Sequence, residues 1–290
     1  MGHMDGTAGI WHREMSGEQS LDRLCDCGLF LLDMDGTLYL GDDVYPGARE
    51  FILGLRDSGR DFIYLTNNSS RAGSDYVDRL RRLGFECEPE NVYTSGMATG
   101  AYLKEHHPGE RVYLLGTAAL HRELRSYGIA VVNEPGGAGG DEADIVVAGF
   151  DTELVYHELD RAVHLLRRGA RFIAANPDLV CPMPGGEVLP DCGSICALLT
   201  AASGSKPYYI GKPNRSMVDV IAAERGIGCG RICCIGDRLY TDIAVAQNAG
   251  AVSLLVLSGE TRADEVRSMD ADKRPDYVFD DVAAVGGAIL

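Results

Sequence analysis

The chain has 290 residues, 46% of them hydrophobic, which is ample for one large domain or two smaller ones. With 43 acidic against 27 basic residues the net charge is −16, which argues against a nucleic-acid partner, because the phosphate backbone needs clustered Lys and Arg. No run reaches the ~18 apolar residues of a membrane span, and residues 1–20 lack the apolar centre of a signal peptide, so no membrane partner is expected.

Residues 1–20 read as a tag-like, disordered terminus, with Met1-Gly2-His3-Met4 a cloning remnant. Beyond them, short apolar runs alternate with helix-length periodic segments, which predicts an α/β fold on a parallel sheet. A strand is predicted over 28–33, then a helix over 46–58 with Pro46 at its start and Gly59 at its stop. A second strand covers 61–66. The helix predicted over 70–83 places Tyr76, Val77, Leu80 and Leu83 on one face and ends at Gly84. A strand over 92–94 and a helix to about residue 105 follow. His106-His107 precedes Pro108-Gly109 and reads as a solvated helix end rather than a metal pair.

From residue 111 a second α/β run begins, with strands over 111–115, 143–150 and 171–175 and helices over 118–126, 154–168 and 191–202. Residues 135–140 form a Gly-rich connector, and 203–205 read as a linker. From residue 208 the first pattern resumes. It gives strands over 208–210, 232–235, 252–257 and 277–279, helices over 216–224, 239–247 and 262–269, and a C-terminal helix. The spacing of Gly226, Gly228 and Gly230 precedes a strand instead of opening a helix, so it reads as a turn, not a cofactor loop. The odd count of nine cysteines, several inside apolar runs, fits buried reduced thiols in a cytoplasmic protein better than a disulfide framework or a zinc site.

Chemistry concentrates at the ends of apolar runs. Asp33 and Asp35 close one such run and Asp237 another. In an open parallel sheet, ligands bind outside the carboxyl ends of the strands, so these acids are placed to share one site. Crowded carboxylates repel unless a cation neutralises them, which points to a hard divalent metal on oxygen ligands. Asp242 lies about one helical turn beyond Asp237 and supports the same ion; N-capping by Asp237 is the plainer alternative. Residues i and i+2 of an extended strand point the same way. Asp33 and Asp35 can thus supply a nucleophile and a proton donor for phosphoryl transfer.

Thr66 and Asn67, with Asn68 beside them, end the second strand in Thr66-Asn67-Asn68-Ser69-Ser70 and are placed to bind phosphate, while Ser70 can cap the next helix. Lys212, one of four lysines, lies between a strand and a helix in Gly211-Lys212-Pro213-Asn214. There it can bridge nucleophile and phosphate.

These motifs, in this order, resemble the haloacid dehalogenase superfamily of phosphatases, and the match covers nearly the whole chain after residue 25. The resemblance implies a Rossmann-like doubly wound core over 21–105 and 206–290 with an inserted α/β cap over 106–205. An insertion of about 100 residues is itself too long for a plain loop. The resemblance makes Asp33 the nucleophile and Asp35 the acid and base. Thr66 and Asn67 bind the phosphoryl group and Lys212 stabilises it. Asp33, the main-chain carbonyl of Asp35 and Asp237 hold Mg2+, with Asp242 in support.

The long insertion, with Asn176-Pro177-Asp178 and the Gly193-Ser194 helix start, resembles the NagD and p-nitrophenylphosphatase-like branch. It makes the segment from Asn176 through Asp178 to Pro190 the candidate reader of the leaving group. Cys181, and Pro190-Asp191-Cys192-Gly193-Ser194 in place of Pro-Gly-x-Gly-Ser, depart from the related pyridoxal phosphate phosphatases and argue against that substrate. The expected partner is a small phosphorylated metabolite, and similar proteins dimerise through the cap. A phospho-accepting signalling module also uses an acidic cluster, a Thr and a Lys, but the paired acids and the insertion argue against it. A phosphotransferase or mutase of the same superfamily is the nearer alternative.

Overall fold

The computed structural model describes residues 21–290, so the expectation for residues 1–20 lies outside the described residues. The chain divides into two compact units. One holds the residues up to Leu65, Leu80–Asn91 and Val218–Leu290; the other holds Thr66–Arg79 and Val92–Met217.

In the first unit, parallel strands run in the order Tyr277–Phe279, Val252–Val256, Ile232–Gly236, Leu29–Leu32 and Asp61–Thr66. Leu29–Leu32 and Ile232–Gly236 are buried at every position. That is why they read as unbroken apolar runs: a central parallel strand is covered on both faces. Their register pairs Leu32 with Ile235, so the two strands end on one edge. The helix Ala48–Asp57 buries Phe51, Ile52 and Leu55, and Phe51 meets Phe30 edge to face at 6.5 Å.

In the second unit five parallel strands run in the order Tyr208–Tyr209, Arg171–Ala174, Ile145–Ala148, Arg111–Leu115 and Ala130–Val131. Tyr113, Val146 and Phe172 from this sheet pack with Ala162 and Leu165 of the helix Tyr156–Arg167 and Leu199 of the helix Cys192–Ser203. The fold class is α/β: a Rossmann-like doubly wound parallel core with an inserted α/β cap domain.

The elements depart from expectation in a few places. A hairpin of Val180–Pro182 and Val188–Pro190 was hidden by its prolines and glycines. The segment expected as one helix over 239–247 opens with a π-helical turn, Leu239–Ile243, before Ala244–Ala249. Residues 203–205 are no linker: Ser203 ends a helix and Gly204 takes the left-handed cap conformation at φ +82°. All nine cysteines are free, six of them buried. Among the described residues no helix is long and apolar enough to cross a membrane.

His121, on the helix Ala118–Ser126, is buried with both ring nitrogens lacking hydrogen-bond partners. Burial, aided by the Arg125 charge, pushes its pKa down to about 4. The unfolded chain therefore takes up this proton first, and stability is lost as pH falls from the ordinary histidine value toward 4. His121→Leu should raise unfolding free energy by about 1–2 kcal/mol more at pH 5 than at pH 7. Urea titrations at both pH values check this; an equal change at each would exclude a titrating His121.

Candidate active site

In the first unit the chain leaves Leu29 toward Asp61 on one side of the sheet and returns from Ile232 on the other. The strands Leu29–Leu32 and Ile232–Gly236 are therefore neighbours at the point where strand order reverses. Such a point is where an open α/β sheet opens a crevice beyond its carboxyl ends. Asp33 and Asp237 leave the sheet there. One carboxylate oxygen from each of Asp33, Asp237 and Asp242 lies within 4.8 Å of the others. Asp237 and Asp242 are buried, and Asp33 is half-buried. Three carboxylates so close, out of bulk water, form a hard-oxygen donor set that fits a divalent cation.

The local chain builds this cluster. The Asp33 amide donates to the Ile235 carbonyl at 2.8 Å, which extends the ladder one residue past the strand. Asp33 and Asp35 are half-buried while Met34 between them is fully buried, the alternation expected of an extended strand. Leu38 and Gly36 then close a tight turn, the Gly36 amide donating to the Tyr39 carbonyl at 2.8 Å. Gly36 has φ +95°, and a Cβ there would lie 2.5 Å from Asp237 Oδ2. Both its conformation and its neighbour require glycine. The carboxylate of Asp35 is not part of the group of three.

The π turn places Asp242. Its amide and that of Ile243 both donate to the Arg238 carbonyl, and the Asp242 carboxylate turns back to accept from the Arg238 amide at 3.1 Å. A Cβ on Gly236 would sit 2.3 Å from Asp242 Cβ, so the strand end and the acid are in direct contact. π turns recur at functional sites for this reason: they re-aim one side chain. The N-capping alternative for Asp237 gives way, because the helical turn starts from Arg238 without a side-chain cap. Asp237 Oδ2 instead accepts from the Glu260 amide at 2.7 Å.

Sequence reasoning missed the loop that supplies this amide. Ser258 Oγ donates to the Gly36 carbonyl at 2.8 Å. Glu260 pairs with Arg238 at 3.0 Å. A Cβ on Gly259 would lie 2.0 Å from Asp237 Oδ2. The only signal was a Ser-Gly pair just past an apolar strand. Tyr45 was missed too. Burial, then the charges of Asp237 and Asp35, raise its phenol above the ordinary tyrosine value.

The second unit gathers the other expected residues. Thr66 Oγ1 accepts from the Asn68 amide at 3.0 Å, and Asn68 Oδ1 accepts from the Ser70 amide at 2.9 Å and Ser70 Oγ at 2.7 Å. Asn68, rather than Ser70, is thus the side chain that shapes this loop. Asn67 Nδ2 donates to Asp178 Oδ2 at 2.7 Å and to the Lys212 carbonyl at 2.9 Å, while its Oδ1 accepts from the Lys212 amide at 2.8 Å. Asn176 Nδ2 donates to Asp178 Oδ2 at 2.9 Å and to Asp191 Oδ1 at 3.2 Å. Lys212, Asn176 and Asp178 are all buried.

The core is thus an α/β sheet with a carboxylate cluster, able to hold a divalent cation, at its switch point. A haloacid dehalogenase-like hydrolase model matches residues 30–130, and a second HAD hydrolase-like model matches 209–285. An acid sugar phosphatase of Staphylococcus aureus is 33% identical over 253 residues, 87% of this chain and 94% of its own length. The crystal structure of 4-nitrophenylphosphatase from Thermotoga maritima is similar with a TM-score of 0.86 at 39% identity, covering 92% of this chain and 99% of that one. NagD from E. coli K-12 gives a TM-score of 0.78 at 32% identity, over 89% and 97% of the two chains. The chain belongs to the haloacid dehalogenase-like hydrolases, among their NagD and p-nitrophenylphosphatase members, and is a hydrolase of phosphoric monoester bonds.

Proposed function

We propose that this enzyme is a magnesium-dependent phosphatase of small phosphomonoesters that works through an aspartyl-phosphate. The observation that carries the reading is the convergence of Asp33, Asp237 and Asp242 at the switch point of the sheet. A carboxylate oxygen of Asp33 attacks phosphorus, and the bond to the ester oxygen breaks as Asp35 gives that oxygen its proton. Asp35, now a carboxylate, takes a proton from water; the water oxygen attacks phosphorus, inorganic phosphate leaves and Asp33 is restored. Asp33, the Asp35 carbonyl and Asp237, with Asp242 in support, would hold magnesium, which when bound would supply positive charge for the phosphoryl oxygens.

Lys212 adds a fixed cation, and Thr66, Asn67 and Asn68 bring the hydrogen-bonding character of their loop to phosphate recognition. These roles rest on the family's motifs. The named substrates of the relatives, sugar phosphates and nitrophenyl phosphate, suggest a small phosphorylated metabolite with a compact leaving group. Asn176, Asp178 and the hairpin that ends at Pro190 read that group in this proposal. The enzyme is further proposed to be cytoplasmic and to form a homodimer through the cap.

A panel of p-nitrophenyl phosphate, sugar phosphates, nucleoside monophosphates and phosphoglycolate, assayed with magnesium and after chelation, tests the reading. Chelation should lower turnover by about 100-fold or more, and adding magnesium back should restore it and raise the thermal midpoint. Full turnover in chelator would sink the metal role. Alcohol released without matching inorganic phosphate would point to transfer to another acceptor.

A further inference from the structure

Asn67 grips the main chain of Lys212 with both ends of its amide, in the manner of a strand pairing partner. That grip works in one orientation only. The oxygen must face the Lys212 N–H, and the nitrogen must face the Lys212 carbonyl. The Lys212 N–H and carbonyl select that flip themselves. Asp178 reinforces it. Its Oδ2, 2.7 Å from Asn67 Nδ2, offers an acceptor to that nitrogen and would repel the amide oxygen.

Asp178 is in turn fixed from its own side. Asn176 Nδ2 donates to the same oxygen at 2.9 Å, and the Gly193 amide donates to the Asp178 carbonyl at 2.8 Å. A Cβ on Gly193 would lie 2.2 Å from the Pro177 carbonyl oxygen, and one on Gly211 would lie 2.6 Å from Asn67 Oδ1, so the packing is tight at both ends of the relay. The same loop is seated farther along the strand ends of the inserted sheet. The Phe150 amide donates to Ser69 Oγ at 2.8 Å, and Thr117 Oγ1 donates to the Ser70 carbonyl at 2.8 Å.

We infer that Asp178 is a positioning residue for the hydrolysis: through Asn67 it fixes the main chain of Lys212, and Asn176 holds Asp178 in place. This inference rests on the role proposed for Lys212. It gives Asp178 and Asn67 a task separate from touching the substrate. A fixed Lys212 main chain aims the ammonium group, and a misplacement of about 1 Å at a reacting centre costs as much as 100-fold in rate.

The test is steady-state kinetics on p-nitrophenyl phosphate with Asp178→Leu, Asn67→Ala and the double variant, each checked for fold by circular dichroism. Asp178→Leu is close in size but offers no acceptor to Asn67 or Asn176, whereas Asp178→Asn would keep one in its amide oxygen. We expect kcat to fall about 10- to 100-fold with KM nearly unchanged. The double variant should be no slower than Asn67→Ala alone, because both changes break one relay. Effects that multiply, or wild-type kcat in a folded Asp178→Leu, would overturn the inference. A crystal structure of Asp178→Leu decides the matter apart from turnover. Loss of the Asn67 bonds to the Lys212 N–H and carbonyl supports the relay, and their retention refutes it. A wild type inert on every phosphomonoester would instead remove the phosphatase reading itself.

Discussion

Asp33→Asn should abolish turnover, by about 10⁴-fold or more, while the protein stays folded. The substituted side chain is the same size, and the main-chain N–H of residue 33 still pairs with the Ile235 carbonyl. What it lacks is an anionic oxygen to form the bond to phosphorus. The substitution also removes one of three negative charges held within 4.8 Å. In metal-free protein that relieves repulsion, so the variant's thermal midpoint should equal or exceed that of the wild type in chelator. With magnesium the order should reverse, because the variant has lost a ligand and gains less from the cation. The signature is thus three linked measurements: no turnover, an unharmed fold without metal, and a smaller magnesium-induced rise in midpoint. Retained turnover in Asp33→Asn would remove Asp33 as nucleophile, whatever the metal data show.

Much of this site was legible because it uses residues whose chemistry is confined to few tasks. An acid at the end of a buried apolar run is costly unless something uses it, and Asp33 and Asp237 both stood out on that ground. The elements around them were equally readable. Leu29–Leu32 and Ile232–Gly236 are buried on both faces, which leaves an unbroken apolar run that periodicity cannot miss.

The parts that escaped are those set by contacts distant in sequence. Nothing in Ser258-Gly259-Glu260 announces that its amide will hold Asp237, because a glycine is chosen there by what approaches it. The π turn at Leu239–Ile243 has an ordinary helical composition, and only the return of Asp242 onto Gly236 distinguishes it. Asn67 is the subtler case. Its residue type at a strand end suggested a ligand for phosphate, yet its amide is engaged with Asp178 and with the main chain of Lys212, 145 residues away. Local pattern identified the residue, but its partners depend on the tertiary fold.

Gly259→Ala should damage the acid cluster as severely as the loss of a ligand at a modest cost to the fold. The added Cβ would lie 2.0 Å from Asp237 Oδ2 and 2.4 Å from its Cγ, far inside van der Waals contact. Gly259 is exposed and lies in a loop, so no core packing is at risk. The clash is relieved most easily by swinging the Asp237 carboxylate away. That clears Oδ2 and Cγ, but Asp237 Cβ, 2.6 Å from the added atom, moves only with the main chain, so the loop must give as well. The swing is costly for function, since the move breaks the 2.7 Å bond from the Glu260 amide and takes Asp237 away from Asp33 and Asp242. Magnesium affinity and kcat should each fall by about 10- to 100-fold, the usual effect of disturbing the groups that orient a metal ligand. The stability in chelator should fall by about 1–2 kcal/mol, as the main chain gives way to the Asp237 Cβ contact. Gly230→Ala is the matched control, because a Cβ there meets nothing within 4 Å. Calorimetric titration of magnesium into both variants, with kcat on p-nitrophenyl phosphate, separates them. Wild-type magnesium affinity in Gly259→Ala would mean that Asp237 does not hold the ion in the orientation seen here, and the assignment of that carboxylate as a ligand would fall.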